Sequence, residues 1–250
     1  MRVLGIESSS LVASVALVTD DILTAEYTVD FKKTHSQTLL PMLDEIVKLL
    51  ELDMDTIDAI AVAGGPGSFT GLRIGAATAK GLGLALKKPL VHVPTVDAMA
   101  YNMWGAEGLI CPIMDAKRSQ VYTGLYHTGN GLEVVMEQQP MDMRELAGLL
   151  NKKGERVIFL GDGVPVYKDI IREMLTVPYA FAPAQMNRQR AASVAALGMN
   201  AILDAEGCHG VQVVTAAEFT PDYLRKPQAE RQREAEQSAR GAAAKLPGDY

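Results

Sequence analysis

The sequence contains very little cysteine, and its cysteines are poorly placed for a metal or redox centre. The only two, Cys111 and Cys208, lie far apart and match neither a CxxC pair nor the ligand spacing of a zinc finger. Two isolated thiols in a chain of ordinary composition are typical of a reducing compartment, where disulfides do not persist. We therefore expect no disulfide framework and interpret both thiols as buried structural residues.

Paired histidines, an excess of positive charge and long apolar runs are also missing. The four histidines, His35, His92, His127 and His209, are scattered, and none has a second ligand at metal-binding spacing on one helix. A net charge of -6 argues against a free-standing nucleic-acid binder, although RNA can be reached through a basic partner subunit. No apolar run approaches the roughly 20 residues of a membrane span, and the N-terminus lacks a signal-peptide pattern. We expect a cytoplasmic protein with no metal of its own and no membrane contact.

The predicted secondary structure has the same order in both halves of the chain. Alternating and β-branched segments predict strands, and apolar residues spaced by three and four positions predict helices. The order is three strands, helix, strand, helix, strand, helix, and it starts once at Arg2–Glu7 and again at Leu109–Asp115. The two long helices of the first half are predicted at Leu39–Leu50 and Gly71–Lys87.

This order and the chain length favour two similar lobes. At 250 residues the chain exceeds the commonest size of a single domain. We predict an α/β fold with one lobe at 1–105 and a second at 106–226. Residues 227–250 contain only Leu246 and Tyr250 as large apolar side chains, which predicts a polar tail that is a solvated helix or disordered.

The most distinctive segment is the glycine-rich run Gly64–Gly75 (GGPGSFTGLRIG), between a predicted strand and a predicted helix. It has no Gly-Lys-Ser/Thr to close a P-loop and lacks the third glycine of the dinucleotide fingerprint. Ser68 does not stand in a GxSxG frame either. We interpret the run as a turn that shapes the backbone, with Thr70 as helix cap, and anion binding at the helix N-terminus is the alternative.

The helix after this turn carries small residues along one face, at Gly71, Gly75, Ala79 and Gly83. An interior glycine costs about 1 kcal/mol relative to alanine, so close packing should offset the cost. The spacing leaves two alternatives open. This small-residue stripe either receives another protein or packs against the chain's own sheet or neighbouring helix.

An acidic residue ends the first strand of each predicted repeat. Glu7 precedes Ser8-Ser9-Ser10, and Asp115 precedes Ala116-Lys117-Arg118. In two-lobed nucleotide-binding folds such turns face the cleft between the lobes. Glu7, Ser8, Ser9 and Asp115 are therefore candidate cleft residues for a nucleotide, and ordinary capping of strand ends is the alternative.

Several segments, in order along the chain, resemble the TsaB (YeaZ-type) family. They are GGPGSFTGLRIG at 64–75, LGIESSS at 4–10, HSQ at 35–37, MDAKR at 114–118 with VY at 121–122, and PDYLR at 221–225. That family serves the bacterial machinery that places threonylcarbamoyl on the adenosine beside the tRNA anticodon. The resemblance covers about residues 1–225. It implies an actin/Hsp70-like (ASKHA) fold of two ribonuclease-H-like lobes and a non-catalytic role.

The resemblance also implies partners. A TsaB-type subunit pairs with the catalytic subunit TsaD through first-lobe helices, and the ATPase TsaE joins the assembly, so ATP is used by the complex and no cofactor is held tightly by this chain. Contact with tRNA is then indirect. The implied contact residues lie on the two long helices and are Leu39, Leu43, Ile46, Gly71, Gly75, Ala79 and Gly83. We expect a homodimer through the same helices when the partner is absent.

One departure from the family keeps two other functions open. Glu7-Ser8-Ser9 stands where the family usually has Asp-Thr-Ser, and glutamate there is more typical of the catalytic relative. The transferase itself is thus one alternative, although that family carries a metal-binding His pair at i,i+4 and a longer chain, and this sequence has neither. An independent small-molecule kinase on the same fold is the other, with Gly161-Asp162-Gly163 as a thin match to an adenosine loop.

Overall fold

The computed structural model describes residues 1–204 and 210–224 and builds them into two mixed β-sheets flanked by helices. The chain runs twice through three strands, helix, strand, helix, strand, helix, so the predicted repeat of element order is confirmed. The predicted tail at 227–250 lies outside the described residues, as do Cys208 and His209. No helix in the described ranges is both long enough and apolar enough to cross a membrane.

The first half forms a three-stranded meander followed by alternating helices and strands. Its elements are β1 (Arg2–Glu7), β2 (Val12–Thr19), β3 (Ile22–Asp30), α1 (His35–Leu49), β4 (Ala59–Gly65), α2 (Phe69–Leu86), β5 (Leu90–Pro94) and α3 (Thr95–Tyr101), with a short 3-10 turn at Met54–Thr56. The meander is antiparallel, whereas β1, β4 and β5 run parallel to one another. The parallel strands therefore end at one edge of the sheet, beside the start of α2.

The second half repeats this order and returns to the first sheet at its end. Its elements are β6 (Leu109–Asp115), β7 (Gln120–His127), β8 (Glu133–Asp142), α4 (Met143–Lys153), β9 (Val157–Leu160), α5 (Val164–Met174), β10 (Tyr179–Phe181), α6 (Ala191–Leu203) and β11 (Gln212–Val214). The second sheet has the order β10-β9-β6-β7-β8. Strand β11 pairs antiparallel with β5, which gives the first sheet the order β11-β5-β4-β1-β2-β3.

The end of the chain packs differently from the lobe boundary that the sequence suggested. Helix α6 and strand β11 fall within 106–226, yet α6 lies on β1, β2 and β4 of the first sheet. The N-terminus of α6 is fastened there, since the Ala191 amide donates to Ser14 Oγ at 3.0 Å and the Ala192 amide donates to Glu26 Oε1 at 3.2 Å. Arg190 forms an ion pair with the same Glu26 carboxylate. Residues 191–224 therefore complete the first lobe in space.

Strand β1 lies at the centre of the first lobe and is buried on both faces. Leu4 and Ile6 point into the core under α1 and α2, whereas Val3 points into the core under α6. Gly5 faces α6 so closely that a β-carbon there would lie 2.3 Å from the Ala191 carbonyl oxygen. A strand covered by helices on both sides explains the continuous apolar character of its sequence. It also fixes Glu7, the last residue of β1, at the edge between the two lobes.

Candidate docking face and inter-lobe cleft

Helix α1 turns its predicted contact residues into the protein. Leu39, Leu43 and Ile46 share one helical face, and all three are buried in the core between α1 and the first sheet. The prediction that they contact a partner is therefore wrong. Their spacing indicated an apolar face, and the sheet of the same chain covers it.

The small-residue stripe on α2 also faces the chain's own sheet. A β-carbon on Gly71 would lie 2.0 Å from the Ser8 carbonyl oxygen, and one on Gly75 would lie 2.3 Å from Ser8 Oγ. Ala79 is fully buried, and a β-carbon on Gly83 would come within 2.9 Å of Leu90. The interpretation of this stripe as a docking face is a second error, because its glycines instead let α2 lie close to β1 and β5. Leucine at Gly75 would disturb folding itself rather than pairing alone.

The outward face of α2 is a different stripe. It consists of Thr70, Arg73, Ala77, Gly81 and Leu84, which follow one another at three- and four-residue spacing and are all exposed. We call these five residues the outer α2 stripe. Leu84 is 67% exposed, and no atom lies within 4 Å of a β-carbon built on Gly81. The stripe thus offers a shallow surface that is apolar from Ala77 to Leu84, with room for another helix to approach.

Neighbouring α1 extends this surface, because the two helices pack side by side. Ile74 and Leu82 of α2 and Val47 of α1 are partly buried against the shared core. Leu40 of α1 remains exposed, whereas the exposed Leu49 lines a groove beside β3 on the opposite flank of the helix. Sequence reasoning missed the outer surface because α2 has small residues on two faces, and only the buried one repeats strictly every four positions.

The glycine-rich turn before α2 is held by three separate parts of the chain. The Gly65 amide donates to Thr95 Oγ1 at 3.1 Å, and the Gly65 carbonyl accepts from Gln138 Nε2 of the second sheet at 3.1 Å. The Gly64 carbonyl accepts from the Asp222 amide at 2.7 Å. Gly65 has a φ of +125°, which side chains rarely tolerate, so the turn depends on glycine there. Its role in shaping the backbone agrees with the sequence interpretation.

The cap of α2 differs from the expected one. Ser68, not Thr70, is the N-cap residue, and its Oγ accepts from the Gly71 amide at 3.3 Å. Next to it, Phe69 contacts Tyr223 with ring centroids 4.8 Å apart, and the Arg73 guanidinium lies 4.6 Å from the Phe69 centroid. The PDYLR segment thus reaches the start of α2, a contact that no sequence pattern signalled.

The candidate cleft residue Glu7 is buried at the junction of the lobes. Its Oε1 accepts from the Ser9 amide at 2.6 Å, so the carboxylate folds back onto its own turn. Burial raises the pKa of Glu7 from 4.5 to about 7, and the negative charge of Asp162 acts in the same direction. Ser8 Oγ donates to the Gly71 carbonyl at 2.9 Å. The structure therefore places Glu7, Ser8 and Ser9 together at the junction, and the Ser8 hydroxyl holds the first turn of α2 in place.

Asp115 belongs to the opposite wall of this junction. Burial acts to raise the pKa of Asp115, but hydrogen bonds from Lys117 and Tyr167 outweigh it and lower that pKa below its usual value. The Lys117 Nζ lies 2.5 Å from Asp115 Oδ2, and Tyr167 Oη donates to Oδ1 at 3.0 Å. Asp115 is thus fully engaged within its own lobe. Its carboxylate carries its charge as part of a local ion pair.

Sequence reasoning did not place two further residues, Asp162 and Gln189, at the junction of the lobes. Asp162, from the Gly-Asp-Gly turn, is largely buried, and burial together with the charge of Asp115 raises its pKa. Gln189, which is 1% exposed, donates from Nε2 to Asp162 Oδ1 at 3.4 Å. Asp162 stands in a short turn and Gln189 in a loop, so only the fold brings them near Glu7. Within 1–204 and 210–224, no three His, Cys, Asp or Glu side chains converge as metal ligands.

Comparison with known proteins agrees with the two-lobed topology. The structure of YeaZ from Pseudomonas aeruginosa matches with a TM-score of 0.72 and 25% identity, covering 89% of this chain and 99% of that one. An activator of 2-hydroxyisocaproyl-CoA dehydratase from Clostridium difficile shares the fold at a TM-score of 0.51 and 9% identity. The chain is therefore an α/β protein of the actin/Hsp70-like (ASKHA) class with two ribonuclease-H-like lobes, as the resemblance implied.

Sequence comparison defines the family. The family model described as "TsaD: tRNA N6-adenosine threonylcarbamoyltransferase" matches residues 29–233. The tRNA threonylcarbamoyladenosine biosynthesis protein TsaB of Bacillus subtilis (strain 168) is 35% identical over 231 residues, which are 92% of this chain and 96% of the relative. The TsaB of Escherichia coli (strain K12) is 32% identical over 160 residues, covering 59% of this chain and 68% of the relative. The chain belongs to the TsaB (YeaZ-type) family.

Proposed function

We propose that this chain acts in tRNA threonylcarbamoyladenosine biosynthesis as the non-catalytic subunit that docks on a TsaD-type transferase. Its TsaB relatives are named for that biosynthesis, and they match nearly the whole chain. A family model described by the transferase also matches residues 29–233, so the proposed partner is a protein of related fold.

The outer α2 stripe is the observation that carries the docking role. A side chain as exposed as Leu84 gains about 1.5–3 kcal/mol when a partner covers it fully. Gly81 and Ala77 leave the helix backbone close to the surface, so a partner helix can approach at short distance. Leu40 on α1 widens the apolar area beyond what a single helix offers. An exposed helix face with small and apolar residues at Ala77, Gly81 and Leu84 fits a helix-to-helix interface.

The remaining partners follow from this assembly. A TsaE-type ATPase joins the pair and turns over ATP for the complex, while this chain holds no cofactor tightly. The tRNA is contacted indirectly, which fits a net charge of -6. Without its partner the chain forms a homodimer through the outer α2 stripe, because the same apolar area is then covered by a second copy.

A charge placed on the outer α2 stripe tests this proposal. Leu84→Glu should weaken binding to the purified TsaD-type subunit of the same organism by at least about tenfold, because a carboxylate is then buried without a partner. Calorimetric titration measures the affinity, and size-exclusion chromatography of the mixed subunits reports the complex. The same variant should shift the isolated chain from dimer towards monomer in light scattering.

The matched control lies on the other side of the first lobe. Leu203 on α6 is 69% exposed, nearly the same as Leu84, but it is remote from α1 and α2. Leu203→Glu should leave the affinity unchanged. Equal affinities for both variants would contradict docking through α2, and transferase activity of the isolated chain would contradict the non-catalytic role.

A further inference from the structure

The part of the chain that carries α2 is free of acidic residues. No Asp or Glu occurs between Asp58 and Asp97, although the chain as a whole has a net charge of -6. The charged side chains of this stretch are all basic, and they are Arg73, Lys80, Lys87 and Lys88. Helix α2 and the turn that follows it are therefore a positively charged region on an acidic protein.

These basic residues flank the outer α2 stripe. Arg73 belongs to the stripe, is exposed, and has its guanidinium 4.6 Å from the Phe69 ring centroid. Lys87 follows Leu84 by three positions, is exposed, and is the C-cap residue of α2. Lys88 lines the same depression as Leu84 and Lys87. At a rise of 1.5 Å per residue, Arg73 and Lys87 lie about 20 Å apart along the helix. The stripe is therefore positive at both ends.

No carboxylate in the described part of the chain pairs with these four basic side chains. The ion pairs that the described residues form all involve other groups. Lys80 donates to two backbone carbonyl oxygens instead. On adjoining elements, Asp44 of α1 pairs with Lys48, and the Glu218 carboxylate accepts from the amide and hydroxyl of Thr215. The positive field of α2 therefore extends outward, over the surface proposed for docking.

We propose that the outer α2 stripe binds an acidic helix of the partner, with carboxylates beside Arg73 at one end and beside Lys87 and Lys88 at the other. This inference rests on the proposed function and adds the charge that the partner's helix must carry. Complementary charges at the rim of an interface speed the encounter and suppress wrong partners more than they tighten the final complex. The basic residues of α2 thus determine which partner docks and how fast, while Leu84 supplies apolar contact.

The residues between the two positive ends favour a protein helix over a nucleic acid. Ala77, Gly81 and Leu84 give the stripe an apolar centre, and Leu84 is 67% exposed. A nucleic acid backbone offers phosphates to Arg and Lys but no apolar side chain to cover that centre. A second copy of this chain fits less well, because its basic residues would face those of the first. Added salt should therefore weaken the complex with the partner and strengthen the homodimer.

Association kinetics at several salt concentrations test the inference. Surface plasmon resonance with the purified TsaD-type subunit of the same organism gives both rate constants between about 50 and about 500 mM salt. The association rate constant of the natural sequence should fall by about tenfold over this range, and the dissociation rate constant should change less. Arg73→Glu and Lys87→Glu should each lower the association rate constant at low salt by about threefold to tenfold and flatten its salt dependence. Arg73→Lys, which keeps the charge, should keep that dependence.

A lysine on the second lobe gives the control. Lys152 on α4 is exposed, and Lys152→Glu changes the net charge by as much as Lys87→Glu does. Its association rate constant should stay close to that of the natural sequence at every salt concentration. Circular dichroism of each variant establishes that the comparison is made between folded proteins.

Three results would overturn the inference. Association that does not respond to salt, or equal salt dependence in Arg73→Glu and Lys152→Glu, would show that the basic residues of α2 do not select the partner, while weakening by Leu84→Glu would still support docking. Filter binding of tRNA to the isolated natural chain that Arg73→Glu abolishes would assign these residues to phosphates instead. No complex between the natural sequence and the partner at any salt concentration would refute the proposed function and this inference with it.

Discussion

Replacing Glu7 by glutamine should stabilise the protein, and by an amount that depends on pH. The pKa of Glu7 rises on folding from 4.5 to about 7, mainly through burial. At roughly 1.4 kcal/mol per pKa unit, that rise corresponds to about 3 kcal/mol. Because the pKa is higher in the folded state, the contribution is fully present below pH 4.5 and is lost as the pH rises through about 7. Glutamine does not ionise and avoids this loss.

Urea denaturation over a series of pH values measures the effect. The difference in free energy of unfolding between Glu7→Gln and the natural sequence should be larger by about 3 kcal/mol at about pH 8 than below pH 4.5. Equal m-values for the two proteins establish that the same folded state is compared. A difference that does not change with pH would refute the argument, because the carboxyl group would then keep its ordinary pKa after folding.

Four further substitutions test the packing of the first lobe and one surface cluster. Gly81→Ala should raise the free energy of unfolding by up to about 1 kcal/mol, since the site is open and helical. Gly71→Ala should lower the free energy of unfolding, because the added β-carbon would clash with the Ser8 carbonyl oxygen. Urea denaturation measures both. Phe219→Ala should lower stability by about 3–5 kcal/mol in the same assay, because this ring fills the core under α2. Glu155→Gln should lower the pKa of His127, which the hydrogen bond that His127 Nε2 donates to the Glu155 carboxylate now raises, and NMR titration measures that pKa directly. Because that pKa is raised, the stabilisation by this pair is present below 6.5 and fades as the pH rises.

Much of the fold could be predicted because local pattern and burial agree in this chain. Strand β1 is apolar from Val3 to Ile6 and is covered on both faces, and the apolar face of α1 repeats at helical spacing. The same order of elements occurs twice, which pointed to two lobes before any contact was known. What periodicity cannot give is the identity of the covering surface. Leu39, Leu43 and Ile46 were therefore placed on the correct face of α1 and assigned to the wrong neighbour.

The small-residue stripe of α2 also shows that spacing gives the buried face of a helix without identifying what covers it. Spacing revealed that Gly71, Gly75, Ala79 and Gly83 share a face, and the cost of interior glycine indicated close packing. Both inferences hold, but the close neighbour is the Ser8 turn and strand β5. The exposed Gly81 differs from these only in what lies opposite to it. Tertiary contacts decide which surface lies opposite a glycine. The spacing of glycines in one sequence therefore cannot show whether they pack against a partner or against the chain's own sheet.

The lobe boundary failed for a related reason. Helix α6 follows the second sheet along the chain, so its sequence position suggested the second lobe. Its amides at the N-terminus instead bind Ser14 and Glu26 of the first sheet, and Gly198 lets it lie against Ala61. These contacts span more than 130 residues of chain, and no local pattern encodes them.

The lobe junction and the start of α2 are mechanically coupled, because the turn after β1 contacts both. Its carbonyl groups face the starts of α1 and α2. The Ser9 carbonyl accepts from the Ser68 amide at 2.6 Å, the Ser10 carbonyl accepts from His35 Nε2 at 2.7 Å, and the Ser8 carbonyl abuts Gly71. On its other side the same turn holds the Glu7 carboxylate through the Ser9 amide. A change at Glu7 therefore acts on the start of α2 through this one turn, so a substitution at the lobe junction bears on the proposed docking face.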